Sequence, residues 1–199
     1  MITAYKFLTP KMTSHNNFKW EIGKEYIIIE PGNMMCSNDV FHCYNNPLLA
    51  EFMLPFHLSG NDYDLYKIEV PEFVNNDGLK FASKSQKILE KVDRPVISRE
   101  QRVEIAIRVA KLVCKDVEWN TWADKWLSGE DRTESSAYHT AYVLHTASYA
   151  AAASYASYAA SYSAASRTSH AAYYAAESFS DKDEFNKKLI EIIEMVCKK

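Results

Sequence analysis

Helix breakers are scarce in this chain and unevenly placed. All six prolines lie at or before Pro95, and Gly129 is the last of five glycines. The second half therefore lacks the usual interruptions of a helix, and the change in character sets a boundary near residues 90–100. Cysteine is also sparse. Cys36, Cys43, Cys114 and Cys197 are too few and too dispersed for a disulfide scaffold. Two of them sit among apolar residues of predicted helices, as reduced buried thiols do. A reducing, cytoplasmic setting is expected. A formal net charge of -3 gives no strong field of either sign, so neither direct nucleic-acid binding nor polyanion mimicry follows from bulk charge.

Other signatures are missing as well. The N-terminus has no basic segment followed by an apolar run, so no export signal is expected. The longest low-charge stretch, Ser135 to Ala176, is full of Ser, Tyr, Thr and His, whose polar groups oppose a membrane span. No phosphate-cradling glycine loop, serine elbow or His-Glu-x-x-His motif occurs. These absences argue against an enzyme and imply no cofactor.

What is present divides the chain into a small mixed domain over 1–95 and an α-helical domain over 96–199, an α+β protein. The runs Ile2 to Leu8, Glu25 to Glu30 and Leu65 to Val70 read as strands between Pro-, Gly- and Asn-rich turns. Pro47 is suited to the first position of a short helix, and Asn75 to Gly78 to a turn. Ser98 and Gln101 form a capping box. Val103, Ile107, Ala110 and Val113 or Cys114 then recur at helical spacing. Trp119, Trp122 and Trp126 share a helix face and are expected in a core or domain junction. Asp131 is expected to cap the next helix, with Glu134 completing a box. The final helix starts near Ser180 and Asp181 and carries Phe185, Leu189, Ile192 or Ile193 and Val196 on its apolar face.

Between Ala137 and Ala176 nearly every residue is Ala, Ser or Tyr, and Arg167 is the only Lys, Arg, Asp or Glu. Alanine favours helix, and small side chains let helix axes approach closely. One unbroken helix would be too long for a compact domain of this size. Two helices folded against each other are expected, with a break around Ala150 to Ser154 or Ser163 to Ser169. Tyr155, Tyr158, Tyr162 and Tyr173 cluster on one face, about a third of a turn or more from Tyr138, Tyr142, His145 and Tyr149.

Cys36, His42 and Cys43 are the best metal candidates, since thiolate and imidazole bind zinc. No second pair completes a four-ligand pattern, and adjacent His42 and Cys43 point to opposite sides of a strand. The same residues raise the alternative of a small-molecule or nucleotide-processing enzyme. Packing explains them better.

The segments Tyr5-Lys6-Phe7-Leu8, Phe18-Lys19-Trp20-Glu21-Ile22-Gly23-Lys24, Phe41-His42-Cys43 and Asn46-Pro47-Leu48 resemble an uncharacterised phage and bacterial domain family over roughly residues 1–90. Members read Cys, Gly, His and Cys in the middle motif. Here Cys36 is offset by one residue, Asp39 or Val40 stands at the Gly position, and His42 directly precedes Cys43. The segment from Trp119 to Trp126, Leu127 to Thr133 and the Ala-rich run are similar to Ala-rich helical proteins assigned to toxin immunity. That resemblance implies a non-catalytic inhibitor of phage or mobile-element origin. It would bind a toxin or defence protein stoichiometrically, as an immunity or counter-defence (anti-CRISPR-like) protein. Tyr155, Tyr158, Tyr162 and Arg167 are the expected contact residues, because Tyr and Arg anchor interfaces. A self-associating phage structural protein, with Ala/Tyr helices forming a homo-oligomer, is the further alternative.

Overall fold

The structure is a computed structural model that describes residues 1–14, 17–29, 32–35, 37–58, 62–143, 150–161 and 165–198, the side chains of 142, 143 and 150 excepted. The chain is an α+β protein, with antiparallel sheets in its first part and helices in its second. Contacts group it into two compact units: Met1–Glu51 with Ser59–Val96, and Phe52–Leu58 with Ile97–Lys199.

In the first unit, β1 (Ile2–Leu8), β4 (Asp64–Val70), β7 (Ser85–Val92) and β2 (Glu25–Ile27) form one sheet in the order β1-β4-β7-β2. A second sheet runs β3 (Phe41–Cys43), β6 (Phe81–Ser83), β5 (Asn75–Asn76). All of these pairings are antiparallel. Strand side chains alternate between faces, so Ala4, Lys6 and Leu8 share one side of β1. Their partners on β4 include Ile68 opposite Ala4 and Tyr66 opposite Lys6. Ala4, Leu8, Trp20, Cys43, Tyr66, Ile68, Val70, Phe81 and Ile88 make the buried core of this unit. Lys6 therefore stands on the core side.

Helix α1 (Pro47–His57) opens as Pro47 dictates, with Asn46 Oδ1 accepting from the Leu48 and Leu49 N–H groups at 2.9 and 3.2 Å. It runs on through Pro55 to His57, beyond the short helix expected. The Asn75–Gly78 turn forms, and Asp77 Oδ1 accepts from the backbone N–H groups of Leu79 and Lys80.

In the second unit, α2 (Arg99–Lys111) begins with the full capping box of Ser98 and Gln101. It packs against α5 (Ala150–Ser161), α6 (Ala165–Ser178) and α7 (Lys182–Cys197). Burial extends to Ile105, Ala106 and Val109, so contact surrounds more of the helix than one apolar face would need. Helix α3 (Val117–Ser128) is capped by Asp116 and ends on Gly129 at φ 85°, a left-handed conformation that glycine adopts without strain. Trp119, Trp122 and Trp126 are all buried, as expected of a core. The Trp119 indole N–H donates to Ser157 Oγ at 2.9 Å and to the Ala153 carbonyl at 3.2 Å. Only small residues on α5 leave room for so large a ring.

Among the described residues, the Ala-rich region holds three helices rather than the two expected: α4 (Glu134–Val143), α5 and α6. Helix α5 packs against both α4 and α6. Ala152, Ala153, Ala156, Ala159, Ser154 and Ser157 are buried on α5, and Ala171, Ala172, Ala175 and Ala176 on α6. Small side chains on several sides of α5 let it take a neighbour on each, which two helices would leave partly uncovered. The N-terminal cap of α4 also differs from expectation. The Asp131 carboxylate accepts from the Thr133 N–H and hydroxyl, while the Thr133 hydroxyl meets the Ser136 N–H at 3.4 Å. Helix α7 is capped by Asp181 and buries Phe185, Leu189, Ile193 and Val196. Among the described residues, no helix is long and apolar enough to cross a membrane.

Candidate functional site

Of the metal candidates, Cys36 lies outside the described residues, and the strand separates the other two. Phe41 and Cys43 face the core from β3, which sends His42 to the opposite side. Cys43 is 1% exposed and donates its S–H toward the Phe81 carbonyl at 3.7 Å. Burial pushes its thiol up to about 12, a shift that the nearby Lys6 only moderates. A thiol held this way is neither a ready nucleophile nor a thiolate ligand. Among the described residues, no three His, Cys, Asp or Glu side chains gather to hold a metal.

Lys6 is the residue that sequence reasoning passed over. Its ammonium, only 8% exposed with the rest of the side chain, donates to the His42 carbonyl at 2.6 Å. It lies 4.8 Å from the Trp20 ring centre and 6.0 Å from that of Phe41. Trp20 and Phe41 belong with Phe18 and Tyr26 to one cluster of edge-to-face and tilted rings, with centroids 4.9 to 5.6 Å apart. Burial lowers the amine from 10.5 to about 8. Three of the four segments that carry the family resemblance thus meet at one cation. The carbonyl and the ring faces explain how it survives burial, so the constellation packs the domain. The alternation of Ala4, Lys6 and Leu8 was the signal that could have found it.

The expected tyrosine face is partly buried and divided between two neighbours. Tyr155 on α5 lies nearly parallel to His170 and Tyr174 of α6, each 5.1 Å away at 16°. His170 meets the Phe56 ring at 4.8 Å, Phe56 stacks on Tyr173 at 5.0 Å, and Tyr173 touches Tyr174 at 5.3 Å. These five rings close a circuit. A carbonyl only accepts, so the 2.6 Å contact of His170 Nδ1 with the Ser166 carbonyl places a hydrogen on Nδ1 and fixes the ring. Burial, and then the charge and hydroxyl of Tyr174, raise the Tyr155 phenol above its usual range, against an opposing pull from Arg167.

Tyr158, one turn further along α5, turns to α4 and meets Tyr138 at 6.2 Å. The Arg167 guanidinium lies 5.1 Å above the Tyr158 ring. Arg167 therefore connects the two groups. Tyr162 lies outside the described residues. Sequence reasoning placed Tyr155, Tyr158 and Tyr173 on one face with Arg167 nearby but missed Phe56, His170 and Tyr174. The i, i+4 spacing of His170 and Tyr174 was visible, whereas the approach of Phe56 requires tertiary structure. The charges Glu130 to Arg132 are accounted for locally, since Arg132 stacks 4.6 Å from Trp126 and donates to its carbonyl at 3.0 Å.

Residues 2–100 match the family model of a domain of unknown function (DUF7666), which spans β1 to the first turn of α2. No curated protein and no solved structure matches the chain.

Proposed function

We propose that this chain is a non-catalytic protein-binding inhibitor of phage or mobile-element origin. It acts in the cytoplasm of a bacterial host, as a toxin-immunity or counter-defence protein, by stoichiometric binding to a target protein. The observation that carries this reading is the half-buried aromatic surface of α4, α5 and α6. Its rings are held by one another, so little side-chain freedom remains to be lost when a partner docks. Tyr and Arg are also the residue types that dominate interface energies. Tyr155, Tyr158 and Arg167 are the contact residues within the described part of the chain. The resemblance of the second half to immunity proteins supplies the biological direction.

The test is capture on the immobilised full chain of toxins and defence effectors expressed in bacteria. Titration calorimetry on any complex and an activity assay of the captured protein would follow. A saturable one-to-one complex in which the target loses activity is the expected outcome. Arg167→Glu with Tyr138→Ala should weaken it by roughly tenfold or more with helicity unchanged, because Tyr138 is 45% exposed. A captured protein that keeps full activity would end the inhibitor reading.

A further inference from the structure

A site of different chemistry lies along the N-terminal half of α2. A cavity of about 190 Å³ is walled by Ile97, Arg99, Arg102 and Val103, with Ala159 of α5 and Thr168 of α6 opposite. Beside it is a second cavity of about 150 Å³, sharing Arg99 and Val103 as a wall and closed by Trp126, Arg132, Glu100 and Glu134. The two differ in charge. The larger has two guanidiniums and otherwise apolar or hydroxyl-bearing walls. The smaller has two guanidiniums against two carboxylates.

Arg102 is 8% exposed and donates to the Phe52 carbonyl at 3.1 Å, so its charge is fixed in the wall before anything binds. Among the described residues, Arg99 makes no ion pair. The start of α2 at Ser98 adds the positive end of a helix to the same place. Guanidinium is planar and suited to gripping an oxyanion with two parallel N–H donors. Ile97, Val103 and Ala159 are all nearly sealed from solvent, and they suit a short apolar stem rather than a bare ion. The volume resembles that of protein cavities known to admit a benzene-sized group. Glu100 and Glu134 next door would repel an extended polyanion such as a nucleic-acid backbone.

We propose that the larger cavity binds an organic carboxylate, its head between Arg99 and Arg102 and its short apolar stem against Ile97, Val103 and Ala159. A free aromatic or aliphatic acid and the C-terminal residue of a peptide share this chemistry. The site does not depend on the aromatic surface of the proposed inhibitor.

Calorimetry and amide chemical shifts on the full chain would test it with benzoate, its neutral analogue benzamide, inorganic phosphate, and a short peptide ending in Phe as free acid or amide. Saturable binding of benzoate or of the free-acid peptide is expected, with shifts on α2 and at Thr168. Benzoate alone would identify a small-molecule site, and the free-acid peptide alone a terminus-reading site. Arg99→Gln should weaken the ligand by roughly tenfold. Ala165→Leu fills the mouth from an exposed position that also lines the cavity, and should abolish binding with the fold intact. Equal binding of benzamide or phosphate, indifference to both substitutions, or no saturable carboxylate binding would overturn the proposal. None of these results bears on capture of a target protein.

Discussion

Lys6 shows how one side chain makes the stability of its unit depend on pH. The amine is held near 8 in the fold but titrates near 10.5 when unconstrained. Between those values the unfolded chain carries the extra proton, so stability climbs as pH rises through about 8. The Cys43 thiol, held at about 12 against a usual 9, acts in the opposite sense. Above 9 the unfolded chain releases a proton that the folded one keeps, and stability falls. Tyr44, pushed upward by burial, adds to that fall. The denaturation midpoint of the first unit should therefore pass through a maximum near pH 9, rising by about 1 kcal/mol on the way. In Lys6→Met the rise should vanish and the fall remain, as urea titrations across neutral to alkaline pH would reveal. A rise that survives in Lys6→Met would assign it to another group. None of this was visible from composition, because a lysine in a strand reads as solvent-facing until Ala4 and Leu8 are seen to flank it on the buried side.

At the level of elements, the legible features were local and the illegible ones depended on packing. Strand β1, the capping box of α2 and the apolar face of α7 followed from neighbouring residues alone. Strand β7 was passed over because Lys87, Glu90 and Lys91 interrupt its apolar alternation, although Ile88 is fully buried. The three-helix division of the Ala-rich region could not be read either. Low side-chain contrast leaves no hydrophobic stripe to mark where one helix ends, and the faces differ only once their neighbours are known. The tyrosines were legible as a face but not in their sharing between α4 and α6. Small residues in α5 carry a specific consequence: Ala156→Leu, at a site with no exposure, should cost roughly 1–3 kcal/mol through overpacking. Thermal unfolding checks this directly. A change within a few tenths of a kcal/mol would mean that the helices are not closely apposed there.

For the whole molecule, the family match and the compact units divide the chain differently. The match takes in all of α1, yet Phe52–Leu58 groups with the helical unit. The Phe52 carbonyl accepts from Arg102 Nη1 at 3.1 Å and from the Ser169 hydroxyl at 2.7 Å, and Phe56 completes the aromatic circuit. A fragment beginning at Ile97 would leave a buried hydroxyl and a buried guanidinium short of an acceptor, at about 1–3 kcal/mol each. Such a fragment should unfold at lower denaturant than the helical unit of the intact chain, and circular dichroism titration of both would decide it. Equal midpoints would mean that Phe52–Leu58 contributes little. The change in composition near residue 96 was readable, but the allegiance of the last six residues of α1 was not, because Pro47 marks where a helix starts and says nothing of what it packs against.

The distribution of indoles offers an optical handle on these units. Trp20 is the sole tryptophan of the sheet unit, whereas Trp119, Trp122 and Trp126 belong to the helical one. Labelling with fluorotryptophan thus gives one fluorine resonance for the first unit and three for the second. The resonance of Trp20, under the Lys6 ammonium at 4.8 Å, would also register the protonation of that amine, so a single spectrum could follow each unit through a titration.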